Sequence, residues 1–272
     1  MSTLMNYMPW IICLLAILVL LADMSTESTK PKVFVIGLNK TGTTSLGNAL
    51  RILGYRKLGW GDFISRKLFH DWYSGNLQPL IQYSTKYDAF EDLPWPFAYK
   101  DMATLYPDAK FILTVRANEE IWWRSIARHT EKRVWIGHKL TYGSYSATND
   151  KAAYIELYLS HQQRVHGFFK DQPERLLEIN IDESPNWHKL CEFLGCSTVP
   201  KSAFPKSNTK NSFLNADHTG FFRAWDNFLS TLETRIVSHW YYNGHPKFVP
   251  GKATGQSLYS QNLPSLPSSE MR

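Results

Sequence analysis

A buried β-branched run, Lys32–Gly37 (KVFVIG), passes without a break into Gly37-Leu38-Asn39-Lys40-Thr41-Gly42-Thr43-Thr44-Ser45 and from there into a helical pattern. Such a chain must turn at the carboxyl end of a strand and open a helix with backbone N–H groups and hydroxyls gathered at one point. The first N–H groups of a helix have no intrahelical partner, and the helix dipole favours an anion beside them, so this turn is suited to phosphate. The helix reads as Thr43–Gly54, with Leu46, Ala49, Leu50 and Leu53 on one face and a glycine to end it.

Three further runs read as strands: Tyr87–Asp92 (YDAFED), Lys110–Val115 (KFILTV) and Leu176–Ile181 (LLEINI). Helical patterns fall between and after them. Asn118 caps one whose first turn carries Glu119 and Glu120, and Lys151–Lys170 forms another. Pro185–Leu194 is a third, with Ser184 at the cap and Gly195 after the end, and Phe221–Tyr242 repeats apolar residues at helical spacing. Alternation of strand and helix predicts an α/β fold, a central parallel sheet flanked by helices on both faces. In an open sheet of that kind ligands bind outside the carboxyl ends of the strands. Lys40, Asp92 and Arg116 each follow or close a strand, which would bring all three to one edge.

The 272 residues fit one α/β domain with additions at both ends. Residues 1–29 hold an apolar run, Leu4–Ala22, whose nineteen residues span roughly 28 Å as a helix, barely a bilayer core. A single-pass membrane anchor is expected, with a cleaved signal peptide as the alternative, although no Lys or Arg precedes the run. The sequence leaves the side of the membrane open, with Lys30 and Lys32 after the run biasing the domain toward the cytoplasm. The sequon Asn39-Lys40-Thr41 points the same way, because a glycan there would block the phosphate turn. Met24-Ser25-Thr26 repeats the opening Met1-Ser2-Thr3, and a start there would leave a cytoplasmic protein without the run. Residues 30–249 then form the domain, and 250–272, rich in Ser, Pro, Gly and Gln, form a tail expected to be disordered.

A net charge of +6 suits an anionic ligand. The positive residues are scattered with no run of five, so a small polyanion fits better than nucleic acid. Three cysteines, Cys13, Cys191 and Cys196, make no disulfide framework, and neither CxxC nor HExxH is present to suggest a metal site. His129, His161, His166, His188 and His239 stand at no ligand spacing. Trp60, Trp72, Trp95, Trp122 and Trp123 are expected in the core rather than in an acceptor pocket.

The phosphate turn is similar to a Walker loop but departs from its order, since Lys40 precedes Gly42 where GxxxxGK[ST] needs lysine after the second glycine. Lys40–Ser45 (KTGTTS) after a buried strand instead resembles the 5′-phosphosulfate loop of sulfotransferases. Lys110–Ser125 (KFILTVRANEEIWWRS) is similar to that family's 3′-phosphate segment, with Arg116 and Ser125 at the matching positions, although their spacing is one residue longer than usual. The likeness continues through Trp187–Gly195 and Phe204–Asn208 and covers about Lys32 to Asn211.

The resemblance implies a three-layer, P-loop-NTPase-like fold and transfer of a sulfuryl group from 3′-phosphoadenosine 5′-phosphosulfate to a hydroxyl or amine on a small molecule, lipid or glycan, without a metal. It places Lys40 on the leaving group. Thr41, Gly42, Thr43, Thr44 and Ser45 fall around the 5′-phosphate, and Arg116 with Ser125 on the 3′-phosphate. Ser45 stands where a tryptophan often stacks on adenine. The Arg-Lys-Gly stretch that many members direct at the 3′-phosphate is absent, and Lys206 or Lys210 is the candidate substitute.

Asp92, in Glu91-Asp92-Leu93-Pro94, takes the position of a histidine that acts as base in cytosolic members. A carboxylate must be raised by burial to do that work, so Asp92 is a candidate base or a group that orients the acceptor, with Glu91 the lesser candidate and a simple turn cap the third reading. Acceptor-lining loops are expected at Gly54–Tyr87 and Thr130–Asp150. An ATP- or GTP-using kinase or NTPase, with Leu176–Asp182 imitating a Walker B strand, and a catalytically silent, membrane-tethered nucleotide-binding protein remain the alternatives.

Overall fold

Period-two alternation sends Val33 and Val35 to one face of a strand and Phe34 and Ile36 to the other, and all four are wholly buried. A strand apolar on both faces must lie in the middle of a covered sheet. The computed structural model, which describes residues 30–60, 63–132, 134–183 and 185–207 with the isolated positions 228, 231, 232 and 235, places it there. Among the described residues, β1 (Val33–Val35), β2 (Lys57–Leu58), β3 (Ala89–Glu91), β4 (Lys110–Val115) and β5 (Leu176–Asn180) form one sheet in the order β2-β3-β1-β4-β5. Every pairing is parallel.

Eight α-helices accompany it in the described residues: α1 (Thr43–Ile52), α2 (Phe63–Tyr73), α3 (Gln78–Lys86), α4 (Trp95–Leu105), α5 (Glu119–Glu131), α6 (Ile136–Tyr142), α7 (Lys151–Phe169) and α8 (Trp187–Leu194). Leu46, Ala49 and Leu50 of α1 and Trp187 and Leu190 of α8 pack on the face formed by Val33, Val35, Ala89 and Ile112. Phe34, Phe90, Phe111 and Leu113 form the other face, under Trp95, Tyr99 and Met102 of α4 and Val165 and Phe169 of α7. The register sets Phe34 beside both Phe90 and Phe111, and their rings stack at 4.6 and 5.3 Å. Three layers follow directly from this two-sided burial, the α/β architecture that alternation predicted.

Several expected boundaries change. β1 and β3 are shorter than Lys32–Gly37 and Tyr87–Asp92 because their ends turn out of the ladder into the site loops, whereas β4 matches its expected span. β2 is an addition. The expected loops Gly54–Tyr87 and Thr130–Asp150 carry α2, α3 and α6, so any acceptor wall built from them is largely helical. α1 ends as expected, with Gly54 at φ +80° and Tyr55 N–H donating to the Leu50 carbonyl. Asn118 caps α5 by accepting from Ile121 N–H at 2.8 Å. α8 is capped by Asn186, which accepts from Lys189 N–H, so the helix starts two residues later than Pro185, and the expected cap Ser184 lies outside the described residues. The expected helix Phe221–Tyr242 lies outside the described residues apart from helical positions such as Phe228 and Leu232. The anchor segment and the tail lie outside them too. Among the described residues no helix is long and apolar enough to cross a membrane.

β1 is the switch point of the sheet: β3 lies on one side and β4 on the other, so the loops after these three strands open onto one crevice. Gly37 makes that convergence tight, because a Cβ there would collide with Thr114 Oγ1 and with the Thr114 carbonyl oxygen. Gly37→Ala is therefore expected to destabilise the fold by about 2 kcal/mol, in the range of overpacked cores. A urea unfolding midpoint equal to wild type would show that β1 and β4 can separate at no cost.

Candidate active site

The loop after β1 alternates in exposure. Thr41, Thr43 and Ser45 are buried, while Lys40, Gly42 and Thr44 keep accessible surface. Thr41 donates its hydroxyl to the Leu38 carbonyl at 2.6 Å and meets Thr114 Oγ1 at 2.7 Å, so it braces the loop from beneath. Ser45 Oγ accepts from Ser207 N–H at 2.9 Å, and Asn48 Nδ2 donates to Ser207 Oγ at 2.8 Å. The segment carrying Lys206 is thereby docked on the first turns of α1. The side chains of Thr41 and Ser45 are thus engaged in bracing the loop, while Lys40, Gly42 and Thr44 keep accessible surface beside them.

Gly42 opens α1 at φ +91° with no side-chain cap, whereas α5, α7 and α8 are capped by Asn118, Asp150 and Asn186. Its conformation is left-handed and Ile181 presses on it, so a Cβ would lie 2.6 Å from Ile181 Cγ1. Glycine thus leaves the leading N–H groups of α1 open to an anion.

Among the described residues, two non-glycine positions have positive φ: Lys40 at 70° and Asp92 at 65°. Left-handed backbone is costly for a side-chain-bearing residue and concentrates where function over-determines it. Asn39 ties the two together. Its Nδ2 donates to Asp92 Oδ1 at 2.6 Å, its Oδ1 accepts from Tyr142 OH at 3.0 Å, and its carbonyl accepts from Trp122 Nε1 at 2.9 Å. Asp92 Oδ1 also accepts from Leu93 N–H at 2.8 Å. Asp92 keeps some exposed surface within a dense surround. That burial, with the Glu91 carboxylate beside it, pushes its pKa up to about 7 against the pull of the Leu93 N–H, Lys40 and Lys57.

Arg116, at the end of β4, reaches the same crevice, and its Nη1 lies 3.4 Å from the Lys40 carbonyl oxygen. Its Nε and Nη2 donate to the two oxygens of Asp182, both at 2.8 Å, and Ala117 N–H donates to Asp182 as well. These bonds hold the Asp182 carboxyl below the usual carboxylate range. Three of the five guanidinium hydrogens are so engaged, and the remaining ones lie on the Nη groups. The Arg116 N–H donates to Tyr158 OH at 3.0 Å, and Tyr158 stacks on Trp122 at 4.4 Å. Ser125 is half-buried on α5, one turn beyond Trp122, so it shares the helix face that Trp122 turns toward Asn39.

Sequence reasoning identified Lys40, Asp92 and Arg116, and the fold brings their loops to one crevice. It passed over Asn39 as anything but a sequon, and Tyr142, Tyr158 and Lys57 altogether. Asp182, which closes the stretch Leu176–Asp182 that could imitate a Walker B strand, has its carboxylate committed to Arg116. Trp95 and Trp122 are core residues as expected, while Trp60, Trp72 and Trp123 are half-buried. His161 is a buried support: its Nε2 lies 2.7 Å from the Ile36 carbonyl, and burial drives its pKa down to about 4. Among the described residues no group of three or more His, Cys, Asp or Glu could hold a metal ion.

A sequence model described as a sulfotransferase domain matches residues 32–141 and 132–213. A curated protein of Aspergillus versicolor named Ava biosynthesis cluster protein M is 27% identical over 233 residues, covering 72% of this chain and 88% of that protein.

Proposed function

The chain belongs to the sulfotransferase domain family, and on that premise we propose that it moves a sulfuryl group from 3′-phosphoadenosine 5′-phosphosulfate to a hydroxyl or amine of a small-molecule, lipid or glycan acceptor. The observation that carries the reading is the pairing of Lys40 and Asp92, both held in left-handed backbone and joined through Asn39.

The residues fit the donor. The uncapped N–H groups at the start of α1 and the Thr44 hydroxyl would hold its 5′ end. Arg116, with Ser125 on α5, would take the 3′-phosphate through the guanidinium hydrogens that Asp182 leaves open, while Asp182 fixes the plane of the fork. The exposed Lys206, docked beside α1 through Ser207, is placed to add a charge. The donor supplies the sulfuryl group and a leaving bisphosphate. Lys40 covers the negative charge that develops as that group departs, and Asp92 receives the acceptor's proton. The apolar run Leu4–Ala22 would tether this domain to a membrane.

Thermal unfolding with 3′,5′-bisphosphoadenosine and, separately, with Mg-ATP tests the reading. A bisphosphate present at a hundred times its Kd is expected to stabilise the protein by about 2.7 kcal/mol, with a much smaller effect from Mg-ATP. Stabilisation by Mg-ATP alone would replace this proposal with a kinase or NTPase. Bisphosphate binding without sulfation of any compound in a broad extract, read by mass spectrometry, would leave a silent binding protein.

A further inference from the structure

Beside Asp92, the last residue of β3 is a carboxylate buried for no evident reason of packing. Glu91 is 2% exposed, its Oε1 meets Lys57 Nζ at 3.0 Å, and its buried Oε2 has no hydrogen-bond partner. Lys57 comes from β2, whose register sets Lys57 beside Ala89 and Leu58 beside Phe90. Two glycines shape the chamber. A Cβ on Gly59 would collide with Glu91 Oε1 and lie 2.8 Å from Lys57 Nζ, and a Cβ on Gly47 of α1 would lie 2.9 Å from both Glu91 Cγ and Lys57 Cδ. The chain has given up two side chains to seat an ion pair. Buried pairs are weak stabilisers, commonly matched or bettered by apolar residues of the same volume, so stability does not account for this one.

Its placement does. We propose that Glu91, locked by Lys57, is a positioning residue whose fixed carboxylate sets the electrostatic surroundings in which Asp92 receives the acceptor's proton. The proposal rests on the reading of Asp92 as the base. The groups that face Asp92 come from four elements: Lys40 from the loop after β1, Lys57 from β2, Glu91 from its own strand, and Tyr142 of α6 through Asn39. Glu91 acts to keep the proton on Asp92, and the two lysines act to remove it. Lys57 therefore has two effects: it fixes the Glu91 carboxylate in place, and it offsets part of that carboxylate's field at Asp92.

Carbon-13 carboxyl titration of the ligand-free protein reads this directly, with the Asp92 signal identified by its loss in Asp92→Asn. In Glu91→Gln the Asp92 midpoint is expected to fall by about one pH unit or more, and in Lys57→Met to rise. The double variant Glu91→Gln/Lys57→Met, which leaves no unpaired buried charge, is expected to show the fall as well and keeps the test open if a single variant does not fold. A merely structural pair would leave the midpoint alone or move it in one direction in both single variants, and either result overturns the proposal. Turnover of Asp92→Asn separates the two claims. Full activity there removes the base and with it this inference. Lost activity together with an unmoved midpoint in Glu91→Gln and in the double variant removes this inference and leaves the base standing.

Discussion

Replacing Lys40 with alanine is expected to lower turnover by about 10²–10³-fold while leaving the fold and most of the bisphosphate affinity in place, the scale seen when a preorganised charge or donor is taken from a developing anion. Other groups brace the loop. Thr41 bonds beneath it to Leu38 and Thr114, and Trp122 holds the Asn39 carbonyl. Alanine at φ 70° would nonetheless carry backbone strain on the order of 1 kcal/mol. Lys40→Gly separates charge from strain, because glycine adopts that conformation freely. If the ammonium acts on the leaving group, both variants lose turnover alike and KM for the donor moves less than kcat. Recovery of activity in Lys40→Gly alone would mean that the residue serves the turn rather than the chemistry.

What could be read from the chain was what local pattern encodes. The strand-turn-helix around Lys40, the cap at Asn118 and the strand ending at Val115 each depend on residues a few positions apart, and the structure has them near where spacing puts them. α4 gave little such signal, since Trp95, Phe97, Ala98, Tyr99, Met102 and Ala103 are all buried and leave only the narrow strip of Lys100 and Thr104 to mark a helical period. β2, two residues long at the sheet edge, is too short to alternate. At α8, Ser184 and Asn186 both carry capping side chains, and the bond from Lys189 N–H decides for Asn186. The bonds that finish the site are the least local. Arg116 meets Asp182 across 66 residues, through the pairing of Val115 with Asn180 that aligns the ends of β4 and β5. Asn39 reaches Asp92 across 53 and Tyr142 across 103. Single residue identities hold no record of such pairings, so sequence yielded the charged groups and the fold yielded what orients them.

Asp92→Asn is expected to reduce turnover by about 10²–10⁴-fold, the usual contribution of a positioned general base, while making the folded state more stable at alkaline pH. Asparagine retains an oxygen for the Asn39 amide and the Leu93 N–H, so the loop keeps both bonds. The stability effect follows from the proton count. Asp92 has a folded pKa of about 7, raised by burial and by Glu91, against an ordinary carboxylate value near 4 in the unfolded chain. Between those values the native protein holds more protons than the unfolded one, so the contribution of this group is fully present below about pH 4 and is lost as pH rises through 7. Asparagine does not titrate. The variant should therefore compare least favourably with wild type below about pH 4 and gain on it up to about pH 8, by on the order of 2 kcal/mol, in denaturant titrations at a series of pH values. A difference that stays constant with pH would show that Asp92 ionises as freely folded as unfolded, and a carboxylate of that kind could orient an acceptor but would be a poor base for it. Turnover and stability thus move in opposite directions only if one buried carboxyl both burdens the fold and serves the reaction.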